Sequence, residues 1–109
     1  MLASFVLAAP TIEEREAQVD GYIYICTDAN WSGDCDNYGF INGQCSNFPS
    51  TFQNDISSVG PDPGWVCILS VDYNCYSDKG IYTVTWPGYS DLSQDWGNDM
   101  FNSVVCISS

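Results

Sequence analysis

The sequence contains no histidine, and its 109 residues include only two basic ones, Arg15 and Lys79. Histidine is the side chain that most often moves protons near neutral pH, so its absence argues against acid–base catalysis. Fourteen acidic residues give a formal net charge of −12. Because nucleic-acid backbones and anionic membranes attract Lys and Arg, we expect neither of them to be a partner.

Cys-x-x-Cys pairs are also absent, although six cysteines lie between Cys26 and Cys106. Without that spacing and without histidine, the usual zinc-ligand patterns are missing. An even number of cysteines in so short a chain predicts disulfides, which indicate an oxidising compartment. With the thiols consumed, no cysteine nucleophile is expected, and no acidic pair suggests glycoside hydrolysis. The sequence therefore predicts a protein that is not an enzyme.

The apolar segment 1–9 is too short to span a membrane, and its last two residues, before Pro10, are small. We interpret residues 1–9 as a signal-peptide remnant and the charged residues 10–19 as a propeptide or linker. Residues 20–109 then form one domain, with eleven Asp and one Lys. We predict that the protein is secreted and extracellular.

Two halves of this domain repeat each other with an offset of 44 or 45 residues. Residues 22–25 and 66–69 are the alternating segments that are typical of strands, with Ile23 and Ile25 facing one way. An Asp-x-Asn pattern follows each segment. Because neither half can bury an apolar face alone, we predict two four-stranded units that pack as a sandwich and are joined by residues 60–64.

Together these elements resemble the βγ-crystallin Greek-key motif. Trp31 and Gly33 match its second aromatic and glycine positions, and Gly33 is expected to supply the positive φ of a folded hairpin. Residues 53–58 and 98–103 match its terminal Asn/Asp–Asn/Asp–x–x–Ser/Thr–Ser element. In the second half Ser77 replaces the glycine, so we expect it to adopt that φ at some cost.

The resemblance covers residues 21–107 and is closest in character to small secreted, cysteine-rich fungal members. It implies an all-β fold in which two Greek-key motifs pack as a sandwich with three disulfides. It places the first and last strands of a motif side by side, which favours a Cys67–Cys106 disulfide. Many other pairings are open; we expect Cys35–Cys45 as a local loop closure and, by elimination, Cys26–Cys75.

Calcium is the cofactor that the resemblance implies, since calcium-binding members use this terminal element and hairpin carbonyls as oxygen ligands. The candidate ligands are Gln53, Asn54, Asp55 and Ser57 in a first site, and Asn98, Asp99 and Asn102 in a second. We favour the first site because Met100 lacks the side-chain oxygen that Asp55 offers. The alternative is that Ser57 and Ser58 only close the loops and that the Asp residues only form a solvated surface.

Asn30 begins an Asn-Trp-Ser glycosylation acceptor. Trp65, Trp86 and Trp96 are interpreted as packing residues rather than as a sugar-binding platform, because large aromatic side chains are mostly buried. We predict a monomeric calcium-binding or structural extracellular protein. The alternative is a secreted interaction protein with an extracellular protein target, such as an effector, an antimicrobial or killer-toxin-like factor, or a protease inhibitor.

Overall fold

The fold is all-β in the computed structural model, which describes residues 19–94 and 96–109. Its strands are β1 (Gly21–Asp28), β2 (Ser32–Phe40), β3 (Ser46–Asn47), β4 (Ser58–Pro61), β5 (Trp65–Ser70), β6 (Ile81–Thr85) and β7 (Ser103–Ser108). Short 3-10 helices lie at Ser50–Phe52, Tyr73–Cys75 and Leu92–Gln94. The signal-remnant interpretation, and the linker interpretation up to residue 18, fall outside the described residues. No helix within the described ranges is long and apolar enough to cross a membrane.

Period-two patterning sets the faces of the first strand in each half, as predicted. On β1, Ile23 and Ile25 are buried while Tyr22 and Tyr24 are exposed. On β5, Cys67 and Leu69 are likewise buried. Because side chains alternate along a strand, each strand directs one apolar row into the space between the two sheets.

The two sheets have the strand orders β2-β1-β4 and β3-β7-β5-β6, and every pairing is antiparallel. The predicted sandwich is therefore confirmed, but its division into two four-stranded units is wrong, because one sheet has three strands and neither sheet is confined to one half. Strand β3 of the first half pairs with β7 of the second, and Tyr89 of the second half forms an isolated bridge with Val59 on β4. Each sheet thus takes one strand position from the other half, which periodicity cannot show because it does not identify pairing partners.

Residues from both halves fill the space between the sheets. Phe40, Phe48, Phe101, Leu92 and Ile56 are almost completely buried there, together with the inward rows of β1 and β5. Removing this apolar surface from water is the main favourable term in folding. Since the aromatic members come from both halves, neither half has a complete core alone.

Three disulfides consume all six cysteines, and the Cys67–Cys106 pair is the one that was predicted. The Cys35–Cys45 and Cys26–Cys75 pairings are wrong. Cys26 instead bonds Cys35, which lies directly opposite it on β2, just as Cys106 lies opposite Cys67 across β5 and β7. Cys45 bonds Cys75, with a Cα–Cα distance of 6.0 Å. This last bond links the segment before β3 to the second half.

Positive-φ residues repeat with the same offset as the sequence. Asn30 and Trp31 have φ values of 61° and 61°, and their counterparts Asn74 and Cys75 have 61° and 60°. Gly33 has the expected positive φ of 80°, and a Cβ there would lie 2.5 Å from Thr27 Oγ1. Ser77 is not among the positive-φ residues, so that expectation is wrong. The second hairpin keeps the left-handed turn at Asn74 and Cys75 but has no positive φ at the glycine position.

The Cys45–Cys75 bond gives a test of the exchanged topology. Replacing both residues (Cys45→Ala with Cys75→Ala) should lower the free energy of unfolding by about 3.5 kcal/mol, the chain-entropy value for a loop of this length. Equilibrium urea denaturation measures the change, and peptide mapping under non-reducing conditions checks the three pairs directly. A Cys35–Cys45 peptide, or a loss below about 1 kcal/mol, would contradict this arrangement.

Candidate functional site

The last serine of each terminal element fastens a folded hairpin to the sheet. Ser58 Oγ accepts a hydrogen bond from the Trp31 N–H at 3.3 Å and donates one to the Asp28 carbonyl at 2.8 Å. The Ser58 side chain is completely buried. Ser58 therefore closes a loop, as the alternative interpretation of Ser57 and Ser58 held, but its partners are distant in sequence.

Ser103 repeats this arrangement in the second half. Its Oγ accepts from the Cys75 N–H at 2.9 Å and donates to the Asp72 carbonyl at 2.6 Å. Asp72, Cys75 and Ser103 each lie 44 or 45 residues after the corresponding residue of the first half. The two hairpins are thus fixed by the same hydroxyl bridge.

One position earlier, the two terminal elements contact each other instead of their own hairpins. Ser57 Oγ donates to Asp99 Oδ1 at 3.2 Å, and Asn102 Nδ2 donates to Asn54 Oδ1 at 2.9 Å. The sequence grouped Ser57 with Asn54, and Asn102 with Asp99. In the structure each of these side chains contacts a residue of the other half instead. We call the two resulting pairs the serine locus (Ser57, Asp99) and the amide locus (Asn54, Asn102).

The serine locus brings oxygen atoms together. Ser57 is buried, and Asp99 has a left-handed φ of 59° while its N–H donates to the Ile56 carbonyl at 3.0 Å. Asn98 Nδ2 donates to Asp99 Oδ2 at 3.2 Å, and Asn98 Oδ1 is buried without a hydrogen-bond partner. A carboxylate, a hydroxyl and an unsatisfied amide oxygen are the donor types that hard divalent cations prefer.

The amide locus has the same backbone plan but different chemistry. Asn102 Nδ2 donates to the Val71 carbonyl at 2.8 Å as well as to Asn54 Oδ1. One NH₂ group therefore uses both hydrogens to bridge two oxygens from different halves. Because an amide NH₂ is a donor and cannot ligate a cation, it satisfies Asn54 Oδ1 and the Val71 carbonyl without a metal, while Asn102 Oδ1 itself is buried without a hydrogen-bond partner.

Two other predicted ligands lie outside these contacts. Gln53 Nε2 donates to the Phe48 carbonyl at 2.9 Å, and Gln53 Oε1 accepts from the Tyr73 hydroxyl at 3.1 Å. Asp55 is exposed, and its N–H donates to the Phe52 carbonyl at 3.2 Å. No group of three or more Cys, Asp, Glu or His side chains suited to a metal ion occurs within residues 19–94 and 96–109. Any cation at the serine locus must therefore use hydroxyl and carbonyl oxygens too.

Of the three tryptophans interpreted as packing residues, Trp65 confirms the prediction by an edge-to-face contact with Phe40 at 4.8 Å. Trp96 is half exposed but contacts Phe101 at 5.6 Å. For Trp86 the prediction is wrong, because 59% of its surface is exposed. Asn30 is exposed with its N–H bonded to the Ser90 carbonyl, and its glycosylation stays a prediction.

Solved structures with the same fold are βγ-crystallin domains. One from Flavobacterium johnsoniae is 25% identical, with a TM-score of 0.62 over 80% of this chain and 94% of that one. The fifth crystallin domain of the non-lens protein Absent in melanoma 1 is 17% identical, with a TM-score of 0.64 over 84% and 91%. A βγ-crystallin from an archaeon is 12% identical, with a TM-score of 0.65 over 80% and 98%. No family profile and no curated protein matches the sequence. The chain therefore has the βγ-crystallin fold.

The hydroxyl bridges yield a stability prediction. Ser58→Ala and Ser103→Ala should each lower the free energy of unfolding by about 1–3 kcal/mol, because each leaves a backbone N–H and a carbonyl without their partner. Ser32→Ala is the matched control, since its hydroxyl bonds the Ala29 carbonyl at an exposed position. Chemical denaturation should show a control effect below about 0.5 kcal/mol. Equal losses of unfolding free energy in all three variants would contradict a special role for the buried hydroxyl bridges.

Proposed function

We propose that this chain is an extracellular structural domain that binds one calcium ion at the serine locus. The observation that carries this proposal is the contact of Ser57 Oγ with the Asp99 carboxylate across the two halves. A cation held by both residues would link the terminal elements of the two halves. Calcium suits this position because it accepts six to eight oxygen ligands in a flexible arrangement.

The donor set of the serine locus fits calcium. Asp99 supplies negative charge, and Ser57 supplies a hydroxyl from the opposite half. The Val71 carbonyl faces the amide locus, and the repeat offset makes the Thr27 carbonyl its counterpart in the first hairpin. Water completes the shell in weak extracellular sites, for which dissociation constants of about 10⁻⁴–10⁻³ M are typical.

The amide locus does not fit a cation. Asn54 Oδ1 and the Val71 carbonyl already accept hydrogen bonds from Asn102 Nδ2, which leaves Asn102 Oδ1 as the one neutral oxygen there without a partner. The locus also has no carboxylate in these contacts to offset the cost of removing water from a divalent ion. We infer a single calcium site at the serine locus. The amide locus is held together by hydrogen bonds instead.

Two features support an extracellular role. All six cysteines form disulfides, which persist in oxidising compartments. The strongly acidic composition favours solubility in a medium that contains free divalent cations. A ligand that binds only the folded state adds stability by mass action, so calcium would serve durability rather than catalysis.

A second role as an interaction protein is favoured by one observation. The outer face of the β2-β1-β4 sheet carries the exposed aromatic residues Tyr22, Tyr24 and Trp31. Exposed aromatic groups of this kind are enriched at binding surfaces. The two roles are compatible because the serine locus and this face use different residues.

Calcium-dependent melting tests the proposal. Calcium at ten times its dissociation constant should stabilise the protein by about 1.4 kcal/mol, which raises Tm by roughly 5–10 °C. Asp99→Asn removes the charge at the locus and should abolish this shift. Asp55→Asn removes an equal charge from an exposed neighbour and should leave the shift within about 2 °C.

A further variant tests the difference between the two loci. Asn102→Ser replaces the bridging amide by the hydroxyl that the serine locus carries at this position. Isothermal titration should then find weak second-site binding or an unchanged single site, but no loss of the first site. An unchanged Tm on adding calcium to the unaltered protein, or loss of the shift in Asp55→Asn alone, would overturn the assignment to Ser57 and Asp99.

A further inference from the structure

A groove of about 300 Å³ lies on the side of the molecule that the first sheet exposes to solvent. Three aromatic rings line it, those of Tyr24, Trp31 and Trp86, and the prolines Pro61 and Pro87 add apolar surface. The carboxylate-bearing residue in its wall is Asp62. We call this the aromatic groove.

Both halves of the chain build the groove, and backbone contacts fix its walls. Tyr24 points outward from β1 by strand alternation, and its ring centroid lies 5.9 Å from that of Trp31. Trp31 is itself held by the hydrogen bond from its N–H to buried Ser58. The groove's first wall is therefore anchored before any ligand arrives.

The opposite wall comes from the turn that contains Trp86 and Pro87. Next to this turn, Val59 and Tyr89 exchange two backbone hydrogen bonds of 3.0 and 2.8 Å. A Cβ on Gly60 would lie only 2.5 Å from the Pro87 carbonyl oxygen, so the turn presses directly against β4. This close approach holds Trp86, which is 59% exposed, beside a sheet that belongs to the other half.

Asp62 is held at the groove by two reciprocal bonds with Tyr22. Its Oδ2 accepts from the Tyr22 N–H at 3.0 Å, and its own N–H donates to the Tyr22 carbonyl at 3.0 Å. Lys79 is the one basic residue within the described ranges, and no ion pair is found there for Asp62. Among the described residues, Lys79 is therefore the one cationic side chain that could pair with this carboxylate.

We infer that the aromatic groove binds an alkylated ammonium group, of the trimethylammonium type that choline carries. Aromatic faces attract cations, and aromatic cages are a recurring way of holding quaternary ammonium ligands. The fixed Asp62 carboxylate adds the counter-charge, and the net charge of −12 steers cations toward the protein. A weakly hydrated, methylated cation fits better than a primary ammonium, which would have to give up strongly bound water.

Other classes of ligand would gain fewer favourable interactions in the groove. Anions are repelled by Asp62 and by the field of the whole chain. A neutral sugar would stack on the rings but would gain nothing from the charge. The groove volume is at the lower end of the range for small-molecule sites, which suits one compact head group.

Titration of the folded protein, produced without glycosylation, with choline tests this inference through tryptophan fluorescence and calorimetry. The neutral isostere 3,3-dimethyl-1-butanol has the same shape without the charge, and choline should bind about tenfold more tightly than it. Added salt should weaken choline binding. Vesicles of phosphatidylcholine form a second arm: retention on them identifies a lipid as the source of the group, and its absence identifies a free small molecule.

Two substitutions locate the site. Asp62→Asn keeps an oxygen for the Tyr22 N–H while removing the charge, and Trp86→Ala removes an exposed ring; each should weaken choline binding about tenfold. Tyr76→Ala is the control, because this exposed aromatic residue lies outside the groove. Melting curves confirm that each variant is folded.

The inference is overturned if the neutral isostere binds as well as choline, if a methyl glycoside binds more tightly, or if no choline binding occurs at millimolar concentration. Binding that survives in both Asp62→Asn and Trp86→Ala also overturns it. The Asp99→Asn variant separates this site from calcium, since it should lose the calcium shift and keep choline binding.

Discussion

Pairing between the two halves, through β3 with β7 and through Val59 with Tyr89, is the constraint on which the remaining structure depends. Because each sheet includes a strand or a bridge residue from the other half, neither half can complete its backbone hydrogen bonds alone. The same exchange brings Ser57 to Asp99 and carries the Trp86 turn onto β4. The candidate metal locus and the aromatic groove are therefore both products of one topological feature.

The sequence predicts those features that depend on local pattern. Alternation alone identifies the buried faces of β1 and β5, the repeat predicts the sandwich, and the alternative interpretation of the terminal element gave Ser58 a loop-closing hydroxyl. The Cys67–Cys106 bond was predicted from the strand order that the resemblance to the βγ-crystallin motif implies. These predictions succeed because each depends on side-chain period or on a motif whose geometry lies within one half.

The remaining features depend on contacts that no local pattern encodes. Strand β3 has only two residues, Ser46–Asn47, too few to show a period. The Cys26–Cys35 bond requires the register of β1 against β2, which a one-residue shift would change. The exposure of Trp86 depends on where its turn meets the other half. Tyr22 and Tyr24 were the available signal for a binding face, since alternation with Ile23 and Ile25 already placed them outward.

One consequence of the disulfide arrangement concerns proteolysis. Cys26–Cys35 lies before the link between β4 and β5, Cys67–Cys106 lies after it, and Cys45–Cys75 spans it. Pro63 and Gly64 in that link are exposed. A peptidase that cleaves there leaves two fragments that stay covalently joined and share one interleaved core. A nicked molecule would thus keep its shape in a protease-rich medium, and only reduction would let its parts separate.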